Sequence, residues 1–167
     1  MMGKRDYQRQ RVYDAEYNLK LTSTQIPTQD GCQDYIDKIL RSRWWKSRCA
    51  LTEVNVVRGR GYTYFGGWDY KRQAWEIQCP FYFKNNTPVS ILLHELVHIY
   101  LAYEARQTSL PLVVFYDRQS SHGRKFAREL LRFIHRWLGK ESAEELRKGY
   151  RTYKVKYYPP RNGHGSK

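Results

Sequence analysis

The sequence predicts an α+β fold, in which a small antiparallel sheet packs on one long helix and a second helix follows. Three observations predict it. Val, Tyr, Phe, Trp and Ile cluster between residues 51 and 83, a long apolar run opens at Pro88, and helical periodicity dominates the stretch after Gly123. With 167 residues, 41% of them hydrophobic and 16% aromatic, the chain has the size of one domain and enough apolar mass for a core. Residues 1–20 read as a basic N-terminal extension, 21–148 as the folded domain and 149–167 as a basic, Tyr-rich tail, with fraying expected at 1–10 and after Tyr158.

The elements follow in order. Asp30 to Trp45 spaces Tyr35, Ile36, Ile39 and Leu40 at helical intervals, with acids early and bases late, which suits the helix dipole. Leu51 to Val57, Tyr62 to Phe65 and Gln73 to Phe83 read as strands, separated by RGRG and FGGWD. Thr87 and Pro88 read as an N-cap and first helical residue, opening a helix that lasts to about Ala105. A second helix is expected from about Gly123 to Leu138, and a short third over Glu141 to Lys148. Cys32, Cys49 and Cys79 are odd in number and widely spaced, as reduced structural thiols are.

The residues that carry chemistry lie in the first long helix, as His94, Glu95, Leu96, Val97 and His98. Residues four apart on a helix differ by about 40° in azimuth, so both imidazoles leave one face and can grip one ion. Glu95, one residue on, is placed to take a proton from water bound to that ion. The surrounding run VSILLHELVHIYLAY is apolar on nearly every side, and burying two imidazoles and a carboxylate without compensation is costly. A metal supplies the compensation.

A catalytic zinc takes three protein ligands and leaves a fourth position for water. Glu104 has the spacing of a metzincin ligand, but Leu101 stands where that pattern needs a turning glycine, so Glu104 points elsewhere on a continuing helix. His122, in SSHGRKF at the mouth of the second helix, is the better third ligand, ahead of His135 and His164. Ser120 and Ser121 can cap that helix there. For stabilising an oxyanion, Tyr116, Arg118 and Arg124 are the nearby donors, and the sequence does not choose among them. Strand 73–83 is the candidate for pairing with an extended substrate.

The helix PVSILLHELVHIYL, the preceding aromatic-rich strands and the signature HGxxF, matched by His122, Gly123 and Phe126, resemble the SprT-like (Spartan-type) zinc metalloprotease family over about residues 36–138. The resemblance implies a zincin-like fold, a Zn2+ cofactor held by His94, His98 and His122, Glu95 as catalytic acid and base, and hydrolysis of peptide bonds, often in proteins bound to DNA. Two departures stand out: no Cys-rich zinc ribbon follows, and the segment joining the two helices contains LPLVVFY, an extra strand or a flap.

Charge adds a partner class. The formal net charge is +14; residues 118–167 hold 14 bases against 4 acids, and residues 41–60 hold 6 against 1. Such concentration fits DNA or another polyanion. Lys125, Arg128, Arg132 and Arg136 fall within about 80° on the second helix and form a candidate nucleic-acid-binding stripe. YRTYKVKYY interleaves tyrosines with bases, as a base-stacking surface or an amphipathic edge strand does. No apolar run reaches the roughly 18 residues of a membrane span and the N-terminus lacks a signal-peptide core. A cytoplasmic, DNA-associated zinc peptidase with a protein or peptide substrate and no membrane partner is therefore expected. The alternatives are a nucleic-acid-binding module with a structural metal, and a narrow-specificity maturation or regulatory zinc protease that needs no DNA.

Overall fold

A computed structural model describes residues 6, 8–59, 61, 63–80, 86–107 and 122–157. Its elements are helix α1 (Arg9–Thr22), strand β1 (Gln25–Ile26), helices α2 (Gln29–Arg41) and α3 (Arg43–Lys46), strands β2 (Asn55–Arg58), β3 (Phe65–Asp69), β4 (Ala74–Cys79) and β5 (Thr87–Pro88), and helices α4 (Val89–Gln107), α5 (Arg124–Trp137) and α6 (Gly139–Thr152). The mixture of helices and small sheets is the expected α+β class.

Helix α4 forms the centre. Leu92, Leu93, Leu96, Val97 and Ile99 are fully buried on different sides of it. Helix α5 packs Phe126, Leu130, Phe133 and Ile134 into the same core. Ser42 splits the predicted helix 30–45, since its extended backbone ends α2 while its hydroxyl accepts from the Trp45 amide and starts α3. Trp45, thereby turned inward, donates its indole N–H to the Leu51 carbonyl at 2.7 Å.

The larger sheet departs from the expectation in two ways. Its order is β2-β4-β3, with β2 parallel to β4 and β3 antiparallel to it, so it is mixed and β4 is its central strand. FGGWD, read as a break, is itself β3. Glycine fits there because the strand crosses α4 so closely that a Cβ on Gly66 would lie 2.3 Å from the Glu95 carbonyl oxygen. Asp69 closes the β3–β4 hairpin by accepting from the Lys71 and Arg72 amides. Thr87 and Pro88 pair with β1 in place of opening the helix, which begins one residue later at Val89.

Both ends of the described chain belong to the core. Most of helix α1 falls within residues 1–20, read as an extension, and the helix buries Val12, Ala15, Glu16 and Leu19. It crosses α6 so closely that a Cβ on Gly149 would meet the Ala15 carbonyl at 2.6 Å. Helix α6 runs past its expected end, burying Tyr150, which donates its hydroxyl to the Ala127 carbonyl, and Val155 packs after it. YRTYKVKYY is thus helical at its start rather than an edge strand. The three cysteines are free and buried. No described helix is long and apolar enough to cross a membrane.

Candidate metal centre

Helix α4 presents His94 and His98 from successive turns, and His122 stands in the turn just before α5. Their Nε2 atoms form a nearly equilateral triangle: His94 to His98 3.2 Å, His94 to His122 3.2 Å, His98 to His122 3.3 Å. His94 and His122 are buried and His98 is partly buried. These three are the group that can hold a metal ion among the described residues. The helical i, i+4 spacing brings in the first pair, and Gly123 supplies the extended N-cap that turns His122 back toward it.

The far side of each ring explains its orientation. His94 Nδ1 lies 3.0 and 2.9 Å from the two oxygens of Glu16, a fully buried carboxylate on α1. His122 Nδ1 lies 2.8 Å from Asp6 Oδ2, which also accepts from the His122 amide at 3.2 Å. A carboxylate only accepts, so in the neutral rings Nδ1 carries the proton and Nε2 offers its lone pair. Lone pairs 3.2 Å apart repel each other unless a cation lies between them. Gln8 adds a clasp, donating to the carbonyls of His122 at 2.9 Å and Lys156 at 3.1 Å while accepting from the Lys156 amide at 2.7 Å. His98 is held differently, its ring stacked on Phe126 with centroids 4.4 Å apart. Tyr13 packs against His94 at 5.5 Å and His122 at 5.1 Å, with the Arg9 guanidinium over its ring.

Electrostatics separates the three imidazoles. Burial holds His98 well below the usual histidine range, helped by the neighbouring His94 and His122 charges. Burial likewise pushes His122 down to about 4, against the pull of Asp6. Burial alone would lower His94 as well, but the charge and hydrogen bond of Glu16 overcome it and raise its proton affinity. Glu95 is buried and its carboxyl is raised, chiefly by burial, while the His94 charge and the Gly66 N–H bonded to it pull the other way. A carboxylate with raised proton affinity beside three nitrogen donors suits proton transfer.

Other predicted residues fall variously. Glu104 is engaged away from the triangle, accepting from Tyr100 at 2.8 Å and pairing with Lys125 at 2.7 Å. His135 is exposed on α5, and Arg124 is exposed at its start. Tyr116, Arg118, Ser120, Ser121, His164 and the LPLVVFY segment lie outside the described residues. Of the cationic stripe, Lys125 pairs with Glu104, Arg128 and Arg132 both meet Glu129, which also binds Arg48, and Arg136 lies over the Trp137 ring. Of the predicted strand 73–83, residues 81–83 lie outside the described residues, and β4 (Ala74–Cys79) is paired on both sides over Glu76–Gln78, which leaves no edge there for a substrate; β3 runs past Glu95 instead.

Glu16, Asp6, Gln8 and Tyr13 were missed by the sequence reading. The signal for Glu16 was present: Val12, Ala15, Glu16 and Leu19 form one helical stripe in which an acid stands among apolar residues. Comparison with family models, with curated proteins and with solved structures gives no match.

Proposed function

We propose that the protein is a zinc-dependent metalloendopeptidase of SprT-like, zincin type. The observation that carries this reading is the nitrogen triangle. Three nitrogens bound to a tetrahedral zinc at about 2.0–2.1 Å lie about 3.3–3.4 Å apart, close to the 3.2–3.3 Å found here. Structural zinc sites close with four protein ligands, whereas the described cluster has three, the number that leaves a corner for solvent.

When bound by His94, His98 and His122, zinc supplies the Lewis acidity that makes water a nucleophile near neutral pH and polarises a carbonyl. Glu95, the buried carboxylate beside these ligands, would be the group that takes up a proton from water and passes it to the departing amine nitrogen. The Gly66 N–H keeps its carboxylate oriented while burial keeps its proton affinity raised. The side of β3 not paired with β4 takes over substrate alignment, offering backbone groups to an extended peptide next to Glu95. Tyr13, steadied by Arg9, joins Arg124 as a described donor for the developing oxyanion.

DNA-associated proteins are the proposed substrate class, supported by the net charge of +14. The carboxylates that meet Lys125, Arg128 and Arg132 reduce what the α5 stripe contributes to that attraction.

The test is a pair of measurements on the full chain. Metal analysis is expected to give one zinc per chain, and Glu95→Gln is expected to keep that zinc while losing peptide cleavage. Cleavage unaffected by Glu95→Gln overturns the enzyme reading. Binding to a DNA duplex is expected to weaken linearly in log salt; no binding at low salt removes DNA and leaves the narrow-specificity protease.

A further inference from the structure

We propose that Asp6, Gln8 and helix α1 form the outer half of the metal centre, with Glu16 and Asp6 as positioning residues that aim His94 and His122 at the ion, so that metal binding and docking of this segment stabilise each other. The inference rests on the metal reading above and adds to it the residues that give the site its affinity.

Glu16 is fully buried, and its two oxygens meet His94 Nδ1. Burying a carboxylate is costly unless opposite charge compensates it. The two nitrogens of one ring join Glu16 at Nδ1 to the triangle at Nε2, so a divalent cation held at Nε2 would set its positive charge behind the N–H that Glu16 receives. The arrangement carboxylate, imidazole, metal fixes the tautomer, holds the ring plane and raises the basicity of the ligating nitrogen. Asp6 repeats it on His122, the ligand that stands in a turn outside any regular element and therefore needs outside support most. Gln8 completes that support through the His122 carbonyl.

Glu16 reaches the core because α1 lies on α6, with Ala15 against Gly149 one residue away. Whatever holds α1 in place holds Glu16 on His94. By linkage, whatever fastens His94 must fasten α1 by the same free energy.

The experiment compares zinc affinity, by competition with a chromogenic chelator, for the full chain and for Glu16→Gln, Asp6→Asn and the control Asp14→Asn. Glutamine still accepts the Nδ1 proton, so the first change isolates the charge. The expected losses are about 10- to 100-fold for Glu16→Gln and about 10-fold for Asp6→Asn, with Asp14→Asn, whose carboxylate only meets exposed Gln10 on the same helix, unchanged. Hydrogen exchange on the unmodified chain is the reciprocal reading: zinc should slow the α1 amides at least as much as those of α4. Affinities of both acid variants within about threefold of the parent, or α1 exchange indifferent to zinc, overturn the inference and leave the metal site standing. A parent chain that binds no zinc overturns the metal site itself. If Glu16→Gln fails to fold, Asp6→Asn and the exchange measurement decide.

Discussion

His94 and His98 sit one turn apart on the same helix and point at the same place, yet they are held by opposite means. Behind His94 stands a buried carboxylate that raises its proton affinity; beside His98 lies the Phe126 ring, and burial drives its proton affinity well down. Among the described residues no carboxylate meets His98. One imidazole is thus anchored by charge and the other by shape. A metal site gains from both, since charge sets how tightly the ion is drawn and apolar packing keeps a ring neutral and ready to bind.

Breaking the charged side should have the largest effect. His94→Ala leaves Glu16 buried without its partner, and the metal-free protein should lose about 3–5 kcal/mol of stability, read by urea unfolding; His98→Ala should cost clearly less in the same assay while abolishing zinc binding equally. Equal losses in the metal-free state would erase the distinction. Next comes Gly66→Ala, which pushes a methyl group against the Glu95 backbone and should cost about 1–3 kcal/mol, with cleavage falling further than zinc affinity because Glu95 is displaced and the ligands are not.

The pH dependence sharpens the contrast through its sign. His122 titrates near 4 when folded against an ordinary 6.5, so the unfolded chain takes up its proton first and stability falls as pH drops from 6.5 toward 4. The slope from this residue is up to about 1.4 kcal/mol per pH unit. His122→Ala should therefore flatten that limb in the metal-free protein. His94 works the other way: its proton affinity is raised in the fold, so its contribution is complete below 6.5 and fades as pH rises through the folded value. The smallest effect is expected for Phe126→Leu. It keeps an apolar group against His98 and should cost about 1–1.5 kcal/mol, with a zinc affinity loss smaller than that of Glu16→Gln.

What was legible in the sequence follows the same division. The triangle itself could be read, because His94 and His98 obey helical spacing and His122 precedes a run with one strongly apolar face, Phe126, Leu130, Phe133 and Ile134. The carboxylates behind it could not be assigned, since Asp6 and Glu16 are 116 and 78 residues from the histidines they support. Local pattern carries no information about such pairs. Helix α1 escaped notice because its buried apolar stripe is thin, Val12, Ala15 and Leu19, while Tyr17 and Leu21 are exposed and blur the periodicity. Sheet order escaped as well: strand propensity located β2 and β4, but whether they run parallel depends on how the chain crosses between them. Gly66 and Gly67 read as a turn when only Gly66's proximity to α4 shows why a strand tolerates them.

The pairing of α1 with α6 has a consequence for how the molecule is made. Translation delivers Glu16 well before Gly149, against which its helix rests. Until the ribosome has released residues near 156, where Gln8 fastens, the nascent chain has its histidine helix but no means of backing it. Until then His94 and His122 of the emerging polypeptide lack the carboxylates that orient their rings.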